Sequence, residues 1–235
     1  MRVAIISDLH LGRGDRSDRF GHEPARFLRF LQALEEMSDE VVLLGDILDT
    51  HHGRVPLAFW REARLCCQAW AALADRLLSG RYRIVAGNHD ECIRDLPGVV
   101  EEVWLERDGW KTLLLHGHQF DRLITAAPHL CALGNYLGGV AERAGLDGAL
   151  YLLDKVDDLA NGLFVDRMVV YRRKAFAEAA RRGADAIILG HLHRQDRQEE
   201  AGRTYLNVGC CLQGRMEYGF LDTKQGLVEA RRWGG

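Results

Sequence analysis

The chain has 235 residues, 47% of them hydrophobic and 28% charged, with 25 glycines and only 4 prolines; this is a globular composition that excludes disorder and fibrous repeats. Its 31 basic and 34 acidic residues leave a net charge of −3, so there is no global basic footprint for a nucleic-acid backbone and only local patches remain open. The six cysteines form two adjacent pairs, Cys66/Cys67 and Cys210/Cys211, with Cys92 and Cys131 alone; without CxxC spacing they read as reduced thiols.

The segment Met1-Arg2-Val3-Ala4-Ile5-Ile6-Ser7-Asp8 puts a carboxylate where a signal peptide needs its apolar stretch, and no run approaches about 18 apolar residues. A soluble, cytoplasmic protein is expected, with peripheral membrane contact left open. Residues 3–6 read as a buried strand that opens at Asp8-Leu9-His10 into a loop through Gly14. A helix is predicted over 24–37, where Phe27, Leu31 and Leu34 recur at helical spacing behind Pro24. Residues 41–44 form a second strand, 56–78 a helix closing near Gly80, and 82–86 a third strand ended by Gly87-Asn88-His89-Asp90.

Residues 99–105 and 111–115 flank Asp108-Gly109, a dipeptide favoured in two-residue hairpin turns, and are predicted to pair. From 119 to about 185 the pattern turns helical: Leu152, Val156, Leu159 and Leu163 keep one face apolar while Asp154, Lys155, Asp157 and Asp158 take the others. This reads as a helical insertion whose last helix, over 172–182, stops at Gly183. Strands are expected again at 186–189, 204–208, 218–221 and 227–230.

Five of these strands deliver Asp, Asn or His at their carboxyl ends, where open α/β sheets place their ligands. Asp8 and His10 are two apart, so extended backbone turns both toward one ion. Gly45 permits a close turn that brings Asp46 to the same pocket, and a carboxylate has oxygens enough for two ions. Asn88 offers an amide oxygen, while His116 and His118 close one strand and His191 and His193 another. One such motif is ordinary loop chemistry; five in succession point to a site.

On Asp8-Leu9-His10, Gly45-Asp46-Ile47-Leu48-Asp49, Gly87-Asn88-His89-Asp90, His116-Gly117 and Gly190-His191-Leu192-His193, the chain resembles the calcineurin-like metallophosphoesterase superfamily over residues 3–210. The resemblance implies an α/β fold, a four-layer α/β/β/α sandwich of two mixed sheets, in a single domain over 1–235 with residues 119–185 as a helical cap. It implies one divalent metal on Asp8, His10, Asp46 and His193, and a second on Asp46, Asn88, His116 and His191, with Asp46 bridging. Metal-dependent hydrolysis of a phosphodiester, phosphomonoester or pyrophosphate bond by a metal-bridging hydroxide follows, with His89 as general acid and Asp49 as the carboxylate that orients it. Manganese is the ion the family implies; iron, zinc and cobalt also suit nitrogen and oxygen ligands without thiolate.

Around this set, His51 and His52 read as exposed loop histidines within reach of the pocket rim, and His118 shares the strand end of His116. Arg13, with Arg16 and Arg19, lies after the first motif, either as solvated loop charge or as a contact for a substrate phosphate. The motif order, with His116-Gly117-His118-Gln119-Phe120-Asp121 ahead of a helical insertion, looks most like the branch containing UDP-2,3-diacylglucosamine pyrophosphohydrolase. That likeness implies a lipid-linked nucleotide substrate, and Leu130, Leu133, Tyr136, Leu137, Leu150, Leu152 and Leu153 supply apolar material for acyl chains or for ordinary helix packing. His89 and His118 stand where that branch has Arg and Asp, which fits a small phosphoester substrate as well. A DNA nuclease is disfavoured by the net charge, and a non-catalytic scaffold by the full ligand set.

Overall fold

Alternation along the first strand, β1 (Arg2–Ile6), sends Val3 and Ile5 to one face and Ala4 and Ile6 to the other. All four are buried, and the two faces enter different cores. A strand buried on both sides must lie inside a layered structure. The computed structural model describes residues 1–146 and 166–234 and shows how the layers are made.

Helix α1 (Pro24–Met37) follows β1, begins on Pro24 and is capped by the Glu23 carboxylate, which accepts from the amides of Ala25 and Arg26. β2 (Glu40–Leu44), α2 (Phe59–Ala69), α3 (Ala71–Leu77), β3 (Arg83–Val85) and β4 (Val99–Val100) complete the first half. The second half holds β5 (Glu102–Arg107), β6 (Trp110–Leu115), α4 (Arg122–Ala126), α5 (Pro128–Arg143), α6 (Arg167–Arg182) and β7 (Ala186–Leu189). It ends with β8 (Gln195–Glu200), β9 (Arg203–Val208), β10 (Glu217–Asp222) and β11 (Leu227–Arg232).

One sheet has the order β11-β10-β1-β2-β3-β4 and the other β5-β6-β7-β9-β8. Both are mixed: β1 to β4 run parallel while β10 and β11 are antiparallel, and β6, β7 and β9 run parallel between antiparallel edges. Val3, Ile5, Val42 and Leu44 meet Leu114, Ile188, Leu206 and Val208 between the sheets. The opposite face of the first sheet packs on Phe27, Phe30, Leu31 and Leu34 of α1 and on Leu73 and Leu77 of α3. Leu113, Leu115, Ile187 and Leu189 pack outward on Ala175, Phe176 and Ala179 of α6. The layers are therefore helix, sheet, sheet, helix, as expected.

Several details differ from the expectation. The helix expected over 56–78 is two helices, broken at Trp70, whose φ of −122° and ψ of 41° leave helical space; its indole N–H donates to Asp18 Oδ2 at 3.0 Å. The strand expected over 99–105 is divided at Glu101, with β4 pairing in the first sheet and β5 in the second. The hairpin itself is as expected: Arg107 pairs with Trp110, and Asp108 and Gly109 have φ of 55° and 82°. β8 has no apolar residue to announce it; it is a charged edge strand whose backbone pairs with β9.

The helix expected over 172–182 starts at Arg167 behind Asp166, and it forms the outer layer on the second sheet rather than part of a cap. Leu150, Leu152, Leu153, Val156, Leu159 and Leu163, with Asp154, Lys155, Asp157 and Asp158, lie outside the described residues. Among the described residues no helix is long and apolar enough to cross a membrane.

Ile188 is fully buried between the sheets. Ile188→Ala is expected to lower the unfolding free energy by about 2–5 kcal/mol, measured by urea denaturation. A loss well below that range would show that this layer does not carry the fold.

Candidate metal centre

The carboxyl ends of β1, β2, β3, β6 and β7 come together at one end of the sandwich, tied by their own backbones. Asp8 N–H donates to the Gly45 carbonyl at 3.0 Å, and the amides of Leu9 and His10 both donate to the Asp46 carbonyl at 2.9 Å. Within the second sheet Gly190 N–H donates to the His116 carbonyl at 2.9 Å, and across the gap between sheets His191 N–H donates to Asp8 Oδ2 at 2.9 Å.

Five of the seven residues expected as ligands have left-handed backbone: Asp8 (φ 55°), His10 (45°), Asp46 (52°), His191 (70°) and His193 (52°). Such conformations cost a non-glycine residue free energy and collect where geometry is imposed for function. Two glycines make the crowding tolerable. Gly45 has a φ of 89°, and a Cβ there would meet His116 Nδ1 at 2.5 Å; a Cβ on Gly87 would meet Asp46 Oδ1 at 2.1 Å.

The side chains expected as ligands form two groups, and His10 also comes together with Asp49 and His89 in a third. Asp8, His10 and His193 bring their ligand atoms together, and so do Asp46, His116 and His191. Asp46 Oδ1 accepts from His89 N–H at 2.9 Å, which leaves Oδ2 between the groups, 3.5 Å from His10 Nε2 and 3.3 Å from His116 Nε2. Asp8 Oδ1 lies 3.1 Å from His193 Nε2. His116 Nδ1–H donates to the Leu44 carbonyl at 2.8 Å, so its Nε2 is the atom turned inward.

Asp8 Oδ1, Asn88 Oδ1 and His116 Nε2 are buried and make no hydrogen bond among the described residues. Buried polar atoms without hydrogen-bond partners are costly. Their carboxylate, amide and imidazole chemistry, free of thiolate, fits divalent cations with mixed oxygen and nitrogen ligation.

The electrostatics agree with that fit. Burial alone would raise the pKa values of Asp8 and Asp46, but the surrounding imidazoles outweigh it and hold both carboxylates well below their usual range. Burial disfavours the charged form of His116, yet the carboxylates of Asp46 and Asp8 push its pKa up to about 10. His10 and His191 are pushed down by burial, His191 to about 4, so both are neutral.

His89 is buried, and its Nδ1 lies 3.3 Å from Asp49 Oδ1. Burial opposes its charge, but Asp46 and Asp49 raise its pKa to about 9. Asp49 is shared, because His52 Nδ1 also donates to its Oδ2 in a short contact. His51 and His52 are thus not exposed loop histidines: both are buried, and the His51 ring stacks on His89 with centroids 4.1 Å apart. His118 is also buried, 5.4 Å from the ring of His116, and burial drops its pKa to about 2. Arg13 is paired with the fully buried Glu62 at 3.1 Å, so its charge is already engaged.

Three residues at the site had no role assigned from the sequence. Asp90, fully buried, accepts from the amides of Ile47 (3.0 Å), Leu48 (3.2 Å) and Gly87 (3.0 Å), and so ties the loop after β2 to the loop after β3. Asp121 takes Arg167 Nη2 at 2.7 Å on an oxygen that also faces His191 Nε2 at 4.0 Å. Arg143 of α5 donates to the carbonyls of His52 (2.6 Å) and Gly53 (2.7 Å). Asp90 and Asp121 were visible inside the quoted motifs; Arg143 had no local signal.

Two measurements follow. Asp90→Asn turns an amide N–H toward one of three backbone donors and is expected to destabilise the protein by about 1–3 kcal/mol; an unchanged thermal unfolding curve would remove Asp90 from this role. Because His116 carries a proton in the metal-free site, binding a cation at Nε2 must expel it, so affinity should weaken as pH falls. Calorimetric titration in buffers of different ionisation enthalpy should show about one proton released per protein near neutrality, and a pH-independent affinity would contradict this.

Comparison with known proteins supplies the family. The calcineurin-like phosphoesterase family matches over residues 1–195. Among curated proteins none matches. Vps29 of Chaetomium thermophilum is similar in structure with a TM-score of 0.50 and 13% identity, covering 99% of this chain and 93% of that one. A predicted phosphoesterase from Streptococcus pneumoniae TIGR4 has a TM-score of 0.41, 17% identity, and coverage of 99% and 97%. A protein described as a novel archaeal phosphodiesterase has a TM-score of 0.39, 15% identity, and coverage of 99% and 100%. At 13% identity the likeness to Vps29 speaks to the fold alone. With its strand-end motifs gathered into one buried centre and the family matched over most of its length, the chain belongs to the calcineurin-like phosphoesterases.

Proposed function

We propose that this chain is a dinuclear metal-dependent phosphoesterase acting on a small phosphodiester, phosphomonoester or pyrophosphate. The observation that carries the reading is the position of Asp46 Oδ2 between two histidine-containing groups, each with ligand atoms close enough for one ion. Asp8, His10, Asp46 and His193 would hold one cation; Asp46, Asn88, His116 and His191 would hold the other. Manganese is the expected ion, and iron, zinc or cobalt would suit the same donors. Such a pair, when bound, supplies water of lowered pKa and neutralises charge on phosphoryl oxygens.

The protein's own part is orientation and proton transfer. Asp46 and Asp8 are fixed through one oxygen each by the amides of His89 and His191, which leaves the other oxygen for the ion. His116 is held in one tautomer by the Leu44 carbonyl. His89, kept protonated by the carboxylates beside it, gives its proton to the leaving oxygen, and Asp49 holds its Nδ1.

A lipid-linked nucleotide such as UDP-2,3-diacylglucosamine is a second substrate reading. It is favoured by one face of α5, where Leu130, Leu133, Leu137 and Val140 recur at helical spacing and are 63%, 39%, 57% and 39% exposed. The same face would serve peripheral membrane contact.

The test is hydrolysis of p-nitrophenyl phosphate and bis-p-nitrophenyl phosphate with added Mn²⁺. Asp46→Asn is expected to abolish activity, and survival of activity would sink the two-ion reading. His89→Ala should keep its metal and lose more rate on alkyl esters than on p-nitrophenyl esters, because a phenolate needs less protonation; equal losses would count against the acid role. Cleavage of UDP-2,3-diacylglucosamine beside nucleotide phosphodiesters separates the substrate readings.

A further inference from the structure

Next to the two metal-binding groups lies a short run of imidazoles that the metal chemistry does not use. His51 is 5% exposed and its ring is stacked on that of His89, with centroids 4.1 Å apart and planes 29° apart. Its outer side meets Phe59 at 5.3 Å. The amide of Asn135, on α5, donates to His51 Nδ1 at 3.3 Å. A neutral imidazole that accepts at Nδ1 carries its proton on Nε2. Burial, with His89 beside it, holds the His51 pKa well below the usual range, which keeps the ring in that neutral form.

His51 Nε2 is buried and makes no hydrogen bond among the described residues. A buried donor left without an acceptor costs free energy that no contact among the described residues recovers. Its location says what would recover it. His89 is read above as the group that protonates the leaving oxygen, and the ring that carries this donor is stacked on it, with centroids 4.1 Å apart.

We propose that His51 is a specificity residue for the leaving group: its Nε2–H donates to an acceptor oxygen one or two bonds beyond the ester oxygen, and Asn135 fixes the tautomer that allows it. The substrate class is then a phosphoester whose leaving group carries a hydroxyl or a further phosphate, rather than a simple alkyl or aryl alcohol. This rests on the hydrolase reading and on His89 as proton donor. His51 acts on the substrate; Asn135 acts only through His51 and is a positioning residue. The Arg143 contacts to the carbonyls of His52 and Gly53 hold the same segment against α5.

The experiment compares glycerol 3-phosphate with n-propyl phosphate, which have the same carbon chain but differ in hydroxyls on the alcohol. In hydrolysis by the Mn²⁺-loaded protein, the unaltered chain is expected to show an affinity for glycerol 3-phosphate, read as KM, about tenfold tighter than for n-propyl phosphate. His51→Phe keeps a ring to stack but no donor, and should lose this preference while keeping its metal. His51→Gln, with an amide N–H near the place of Nε2, should retain part of it.

In metal-free protein, ¹⁵N spectra of the imidazoles should show His51 protonated at Nε2, and Asn135→Leu should mix the two tautomers. Equal affinity of the unaltered chain for both phosphates would overturn the proposal, as would metal loss from His51→Phe or a His51 protonated at Nδ1. Failure to bind either phosphate would overturn this proposal, as would binding of both without preference, while the hydrolase reading falls separately if Asp46→Asn keeps its activity.

Discussion

Everything at the site depends on getting one carboxylate, that of Asp46, into the middle of a crowd of imidazoles. It reaches that place on a left-handed backbone, with Gly45 turning before it and Gly87 standing where any Cβ would strike it. Its carbonyl is spent on the amides of Leu9 and His10, and one carboxylate oxygen on the amide of His89. The remaining oxygen faces both histidine groups. Because these bonds come from the loops after β1 and β3, placing Asp46 places those loops as well.

The layers behind the site explain why it can hold strained backbone. Each parallel strand that ends at the centre is buried on both faces, between the sheets on one side and against helices on the other. Strand ends so clamped cannot relax to relieve an unfavourable φ, and the cost is spread over a large core. Asp90 adds a second clamp, a buried carboxylate taking three amides from two loops, so that the positions of Asp46 and of the Asn88-His89 segment are linked.

Around His89 the structure builds more than one imidazole facing one carboxylate. Asp49 is shared with His52, and His51 covers one face of the ring. This segment is in turn held by Asn135 and Arg143 of α5. The helices after β6 are therefore joined to the neighbourhood of His89 through side chains rather than merely lying near it.

Much of the fold and of the candidate site was legible in the amino-acid sequence, for local reasons. Apolar runs such as those of β1 and β7 announce strands buried on both faces, Asp108-Gly109 announces its hairpin, and each of the five strands announces the Asp, Asn or His at its end. What stayed hidden was whatever depends on residues distant in the chain. β8 is all polar and exists because β9 offers it an edge; Glu101 separates two strands because the sheets separate there. His51 and His52 looked like loop histidines until α5 covered them, and Arg13 looked free until Glu62 came within 3.1 Å. Sequence determined which chemical groups would stand at the strand ends, since periodicity and turn chemistry act over a few residues. Tertiary structure alone decided burial and partnership, because both are set by surfaces that meet only after the chain has folded.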